Sequence, residues 1–305
     1  MVVAGPQLGG SLKLMMMTSA GYDEHNHGGP EVLEGLANAG VMACNNGGTN
    51  AIAVAEIAVM LMLMVCKKGV AFANSASEGH WNRGPQVTEG KHPAFSGGRE
   101  LSKQTAGVIG FGNIGRMVCR LLAGFKCELL YYDVDELMVG RDGELDATAV
   151  SLEELLTRSD IVTAHVPNQP STNGRISGDK LMGKEQFDLM KEDAIYISTC
   201  RGPVTDENAL IDALQSGSIY GAGLDVTDPE PADPNNPLLN MENVVVLPHI
   251  ASIGTPPERG ANFVMDNLKR LDVGKPLVAV VNGPGHSDGI FVEEEDAVEA
   301  LAARL

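Results

Sequence analysis

Residues 105–133 read TAGVIGFGNIGRMVCRLLAGFKCELLYYD, and this stretch decides the fold. TAGVI is a short apolar run of strand type, and NIGRMVCRLLAGF spaces its apolar residues as a helix does. CELLYYD returns as a second strand. Between the first strand and the helix lies Gly110-Phe-Gly112-Asn-Ile-Gly115. Glycine at these three places permits a tight turn, close approach of a pyrophosphate to the backbone, and close packing of helix on strand. The free N–H groups of the first helical turn, and the helix dipole, then favour an anion. Asp133 ends the second strand, 23 residues after Gly110 (133 − 110). A carboxylate there suits ribose hydroxyls and makes a 2′-phosphate unwelcome, so NAD(H) is expected rather than NADP(H). GxGxxG alone is a weak signal; strand, helix, strand and acid in this order make it specific.

The alternation continues downstream. Ser151-Leu-Glu-Glu154 is a capping box that opens a helix ending near Ser159. DIVTAHVP and AIYIST read as strands, DENALIDALQSG as a helix closed by Gly217, and GAGLDV and NVVVLP as further strands. Strands separated by helices imply an α/β fold: a doubly wound parallel Rossmann sheet with right-handed crossovers.

Three residues follow the carboxyl ends of these late strands: Arg201 after AIYIST, Glu230 after GAGLDV and His249 after NVVVLP. Ligands of open α/β sheets bind beyond that edge. Reduction of a 2-oxo acid needs a cation for the carboxylate, an acid for the developing alkoxide, and a hydride from the other face. Arg201 suits the first role, because its planar fork binds carboxylate bidentately and keeps its charge. His249 suits the second, as the side chain that titrates near neutral pH. Glu230, hydrogen-bonded to that imidazole, would orient it and favour the protonated form. Each residue also has a plainer reading. The arginine could serve a surface ion pair, the histidine a structural hydrogen bond, and the glutamate a loop between Pro229 and Pro231.

Composition narrows the field. A chain of 305 residues is long enough for two domains. A net charge of −18 argues against nucleic acid and anionic membranes, whose recognition needs a basic surface. Five scattered cysteines without CxxC or CxxH spacing suggest neither a disulfide framework nor a metal site, which suits a reducing cytoplasm. The N-terminus MVVAGPQLGG has no signal-peptide pattern. AIAVAEIAVMLMLMVC, residues 51–66, is short for a membrane span and contains Glu56, so a buried helix is expected. Residues 75–100 are polar, rich in Gly and Pro, and include Trp81. They read as an arm between domains, or one that packs on a second subunit to form a homodimer. IFVEEEDAVEALAARL at the end reads as an acidic helix or tail.

STCRGPVTDENAL, GAGLDVTDPEPADPNNPLLNMENVVVLPHIAS and GVIGFGNIG together resemble the D-isomer-specific 2-hydroxyacid dehydrogenases, over roughly residues 11–282. The resemblance implies that Arg201, Glu230 and His249 are the catalytic trio. It places Gly110, Gly112, Asn113, Ile114, Gly115, Asp133, Pro167, Thr199, Cys200 and Asp225 around the cofactor, with Pro167 bordering the adenosine and Asp225 near the nicotinamide carboxamide. The backbone of Ala20-Gly21, with Arg201, would bind the substrate carboxylate. No metal is implied. A discontinuous flavodoxin-like substrate domain, residues 1–74 and 255–305, would flank an NAD-binding domain at 75–254, with hinges near 72–76 and 252–256. Closure between the domains would exclude water from the reaction.

The chain departs from the family pattern in several places. LKLMMMTSAGYD begins at residue 12, which reads as a substrate domain truncated at its N-terminus. ISGDKLMGKEQFDLMK is longer than usual, Ser198 stands where Asn is common, and Cys66-Lys67-Lys68 replaces the usual Arg. The activity implied is interconversion of a small 2-oxo acid, of glyoxylate or hydroxypyruvate type, with its D-2-hydroxy acid. Two alternatives stay open: a non-catalytic NAD(H)-binding scaffold or sensor, and formate oxidation on the same fold.

Overall fold

The computed structural model describes residues 12–19, 21, 29–79, 98–134, 145–168 and 180–282. Ala20, Trp81 with most of the expected arm, and the acidic stretch 290–305 lie outside the described residues. In chain order the elements are β1 (Leu14–Met16), α1 (Gly29–Asn38), β2 (Met42–Cys44), α2 (Ala51–Lys67), α3 (Gly69–Ser77), β3 (Thr105–Ile109), α4 (Asn113–Ala123) and β4 (Glu128–Tyr132). There follow β5 (Ala147–Ala149), α5 (Leu152–Arg158), β6 (Ile161–Ala164), α6 (Lys184–Leu189), β7 (Ile195–Ser198), α7 (Glu207–Ser216), β8 (Gly221–Leu224), β9 (Val244–Val246) and α8 (Pro257–Asp272). The chain forms two compact units, 1–52 with 254–305 and 53–253.

In the larger unit seven strands lie side by side in the order β5-β4-β3-β6-β7-β8-β9, every neighbouring pair parallel. Order reverses between β3 and β6, which makes the end of β3 the topological switch point. β3, β6, β7 and β8 are buried almost throughout, as strands covered on both faces must be. Helix termini follow their sequence signals. Ser151 Oγ accepts from the Glu154 N–H to open α5, but the expected capping box stays half-made, because the Glu154 carboxylate turns to Arg158 instead. Asp206 accepts from the Ala209 N–H to open α7, and Gly217 closes α7 in a left-handed conformation.

Helix α2 is apolar nearly all round, and it lies in this unit against β8. A side chain at Gly223 would meet Leu61 at 2.9 Å, and one at Gly221 would meet Val65 at 3.0 Å. Small residues on the strand therefore let the helix pack flat. That packing explains why the chain passes between units at 52/53, some twenty residues before the expected 74/75. Residues 72–76 lie within α3. The return crossing at 253/254 adjoins the turn at Gly254. Among the described residues, no helix is long and apolar enough to cross a membrane. β5 escaped the sequence reading because it has three residues, two of them exposed.

The smaller unit is stitched from both ends of the chain. β1 and β2 pair in parallel, Leu14 opposite Met42 and Met16 opposite Cys44. Met17, Leu33, Leu36, Val41, Ala43 and Val281 form its buried cluster. Asn282 locks the C-terminal return in place: Oδ1 accepts from Ala43 N–H at 2.7 Å and Nδ2 donates to Val41 O at 2.9 Å. Arg259 of α8 donates to Thr49 O at 3.0 Å.

Candidate active site

At the switch point, Gly110 has φ 92° and donates to Tyr132 O at 2.8 Å. A side chain there would run into the His165 carbonyl, and one at Gly115 would overlap the Gly110 carbonyl. Only hydrogen fits at either place. Gly112 differs: a side chain there would meet nothing within 4 Å. It is the N-cap of α4 and supplies no side-chain cap, so its side chain takes none of the first-turn N–H groups that begin at Asn113 and Ile114. That is the cradle a pyrophosphate fits. Asp133 sits beside it, because β3 and β4 pair with Ile109 opposite Tyr132. One of its oxygens accepts from the Phe111 N–H at 2.7 Å, which ties the acid to the glycine turn.

The wall of this cradle includes a histidine that sequence reasoning passed over. His165 Nε2 lies 2.9 Å from Thr163 Oγ1, and Nδ1 lies 3.3 Å from Thr199 Oγ1. Burial pulls its pKa down to about 3, so the ring is neutral at physiological pH. It bridges the ends of β6 and β7. Pro167, two residues on, is exposed.

β7, β8 and β9 are consecutive neighbours, so their carboxyl ends open on one edge. Arg201, Glu230 and His249 all come off that edge. Glu230 Oε2 lies 2.7 Å from His249 Nδ1, and Glu230 Oε1 accepts from the Thr227 N–H at 3.2 Å. A carboxylate only accepts, so Nδ1 carries a hydrogen and Nε2 is the ring nitrogen left for chemistry. The side chains are 42% and 35% exposed, which leaves the pair open to a ligand.

His249 itself has φ 55°, and Asp225 holds that turn. The His249 N–H donates to Asp225 O at 2.9 Å. Asp225 Oδ1 and Oδ2 accept from the Ile250 and Ala251 N–H groups, each at 2.8 Å. Burial pushes the Asp225 carboxyl above the usual carboxylate range, and the two N–H donors oppose that shift. The expected nicotinamide neighbour thus has a positioning task in this structure.

Arg201 Nη1 donates to Cys200 O at 2.7 Å, which folds the guanidinium back onto the carbonyl just before it. Thr199 and Cys200, just before it in the chain, are buried. Cys200 Sγ lies 3.2 Å from Ser198 Oγ, and burial raises the thiol, so it is a packed thiol and not a nucleophile. The next residue, Gly202, faces the Thr227 carbonyl so closely that any side chain would overlap it. This contact brings the arginine loop against the glutamate loop. Glu207 and Asn236 strengthen the same junction: Glu207 Oε2 accepts from the Asp228 N–H at 3.1 Å, and Oε1 from Asn236 Nδ2 at 2.7 Å. None of Gly202, Glu207 and Asn236 stood out in the sequence; only the dense run of polar residues after β7 and β8 hinted at them. Gly21 belongs to the smaller unit, where its carbonyl accepts from Ser19 Oγ at 2.7 Å.

No group of three or more potential metal ligands occurs among the described residues. All five cysteines are free thiols.

Known proteins bear on this arrangement. The profile for the D-isomer specific 2-hydroxyacid dehydrogenase NAD binding domain matches residues 59–251, more than half of the chain. The chain is 32% identical to a D-3-phosphoglycerate dehydrogenase of Archaeoglobus fulgidus over 90% of its own length, but spans only 48% of that longer protein. It is 34% identical to a glyoxylate reductase of Korarchaeum cryptofilum, covering 88% of this chain and 76% of the relative. Among solved structures, the apo form of a D-mandelate dehydrogenase from Rhodotorula graminis superposes with a TM-score of 0.75 at 29% identity, covering 92% of this chain and 76% of that one. With its glycine cradle, its ribose-side acid and these matches, the chain belongs to the D-isomer specific 2-hydroxyacid dehydrogenases, a family of NAD-dependent oxidoreductases, and its larger unit carries their NAD-binding domain.

Proposed function

We propose that this protein reduces a small 2-oxo acid, of glyoxylate or hydroxypyruvate type, to the D-2-hydroxy acid at the expense of NADH. The observation that carries the reading is the Glu230–His249 pair, held at 2.7 Å on the sheet edge from which Arg201 also emerges. When bound, NADH would supply the hydride. Arg201 grips the substrate carboxylate with its guanidinium and draws electron density from the adjacent carbonyl. His249, its Nδ1 fixed by Glu230, gives the proton on Nε2 to the carbonyl oxygen as the C–H bond forms. A 2-oxo acid, NADH and a proton become a 2-hydroxy acid and NAD⁺. Gly110, Gly112, Asn113, Ile114 and Gly115 would cradle the pyrophosphate, and Asp133 the ribose. Pro167, Thr199, Cys200 and Asp225 would line the remainder of the cofactor site. The smaller unit would bear the substrate side through Ala20 and Gly21.

Glyoxylate reductases among the relatives support the substrate class. Arg201 supplies one strong anion anchor on a chain of net charge −18, which suits a small monocarboxylate better than a phosphorylated acid. A cytoplasmic location is supported by the five free thiols. A homodimer through residues 75–100 completes the reading, and a monomeric mass in light scattering would refute it.

The test is NADH consumption with glyoxylate, hydroxypyruvate, pyruvate and 3-phosphohydroxypyruvate, with cofactor fluorescence followed in the same cuvette. Turnover of glyoxylate or hydroxypyruvate is the expected result. NADH that binds but is never consumed would overturn the reductase and leave the scaffold.

A further inference from the structure

The segment 201–207 does more than deliver Arg201. It meets the loop bearing Glu230 at two points. Gly202 abuts the Thr227 carbonyl without room for a side chain. Five residues later, at the first position of α7, Glu207 accepts the Asp228 N–H on one oxygen and the Asn236 Nδ2 on the other. Asn236 is buried, and its own Oδ1 accepts from the Leu238 N–H at 3.0 Å, which sets its orientation. Between those two grips lies the Thr227–Asp228 peptide. Thr227 N–H is also the group that holds Glu230 Oε1, and Thr227 Oγ1 donates to Pro229 O at 3.0 Å. Glu230 then reaches His249.

From this arrangement we infer that Glu207 is a positioning residue: with Gly202 it clamps the 227–230 loop to the arginine loop, and so keeps the Glu230–His249 pair in register with Arg201. The inference rests on the catalytic reading of that trio. Glu207 touches neither the histidine nor Arg201, and it acts through the backbone of Asp228 and the side chain of Asn236. A carboxylate is well suited to the task, because it offers two acceptors to two donors that come from different parts of one loop. The physical consequence is that the cation and the acid cannot drift independently. Misplacement of reacting groups by about 1 Å can cost about 10²-fold in rate.

The experiment uses the full chain and exchanges the two partners. Glu207→Gln leaves one acceptor and sets an NH₂ against the NH₂ of Asn236. The double variant Glu207→Gln/Asn236→Asp restores a complementary pair and the original net charge. In the single variant kcat is expected to fall roughly tenfold, with the dissociation constant of NADH within about twofold of the parent. The double variant is expected to regain most of that loss. Asn236→Ser, which keeps a cap for Leu238 but cannot reach Glu207, gives the same loss from the other side and serves if Glu207→Gln does not fold. An unchanged kcat in the single variant, or a loss the double variant does not recover, overturns the clamp.

A second measurement does not depend on turnover. The His249 Cε1–H proton resonance, assigned by its disappearance in His249→Gln, is expected to move in Glu207→Gln and to return in the double variant. An unmoved resonance overturns the clamp even in an active enzyme. A parent protein inactive with every acid overturns the reductase reading, and the resonance still tests the clamp.

Discussion

The two ends of the candidate site are built on different principles. At the switch point the geometry depends on atoms that are missing: Gly110 and Gly115 allow the β3 turn, the β6 end and helix α4 to approach until no side chain would fit. Beyond β7, β8 and β9, apart from the close approach at Gly202, it depends on atoms that are present, in a set of charged and polar hydrogen bonds that runs from Glu207 through Asp228 and Thr227 to Glu230 and His249. Asp225 closes that set from the other side. Hard-sphere contacts tolerate almost no substitution but carry no charge and no pH dependence. Hydrogen-bonded loops can be altered one bond at a time, and each alteration is felt at the reacting groups. Binding of cofactor and turnover of substrate should therefore fail separately.

The largest separation is expected at His249. Replacing it with Gln removes the proton donor but none of the glycine cradle, so turnover should fall about 10²- to 10⁴-fold while NADH fluorescence titrates as in the parent. Steady-state rates beside a fluorescence titration measure both, and a variant with unaltered turnover would falsify its role as the acid. Gly110→Ala should do the reverse. The added methyl meets a backbone carbonyl at a residue whose φ is 92°, so the turn must open. NADH affinity is expected to weaken by about tenfold or more, near 1.4 kcal/mol. Saturating cofactor should restore most of kcat, and a variant that binds NADH normally would break the comparison.

The smallest effect near neutral pH concerns His165, on the cofactor side. Its pKa is near 3 in the folded chain, against 6.5 when exposed. Between those values the unfolded chain binds more protons, so stability is complete above about pH 6.5 and is lost as pH falls toward 3. The loss at about pH 6 is of order 1 kcal/mol. His165→Gln, which can still bridge two hydroxyls, should flatten that part of the stability profile in urea unfolding. An unchanged slope would show that the ring is hydrated in the native state.

The contrast also explains what was legible beforehand. A glycine turn leaves its mark in consecutive residues, since the three glycines, the strand before them and the helix after them are contiguous. The same holds for the caps at Ser151, Asp206 and Gly217. Arg201, Glu230 and His249 could be picked out because each follows an apolar run that ends a strand. The task of fixing them could not be assigned to any residue, although Asp225 was named for the cofactor. Asp225 reads as the end of a strand, Gly202 as part of a turn and Glu207 as an acid in the first turn of a helix. Their partners lie 26, 25 and 29 residues away, at Ala251, Thr227 and Asn236. The boundary at 52/53 was hidden for a related reason: α2 shows an apolar surface, but only the glycines of β8 reveal which unit it covers.

The sequence by itself determined the parallel α/β class, the NAD-type turn with its acid, and which charged residues stand at strand ends, because all of these are written in local spacing. The tertiary structure alone decided that Glu230 meets Nδ1 of His249, that Asp225 holds the histidine's turn, and that the arginine and glutamate loops are pressed together at Gly202. Those are contacts between segments whose distance depends on strand order and register, and no local pattern encodes the order in which strands lie side by side.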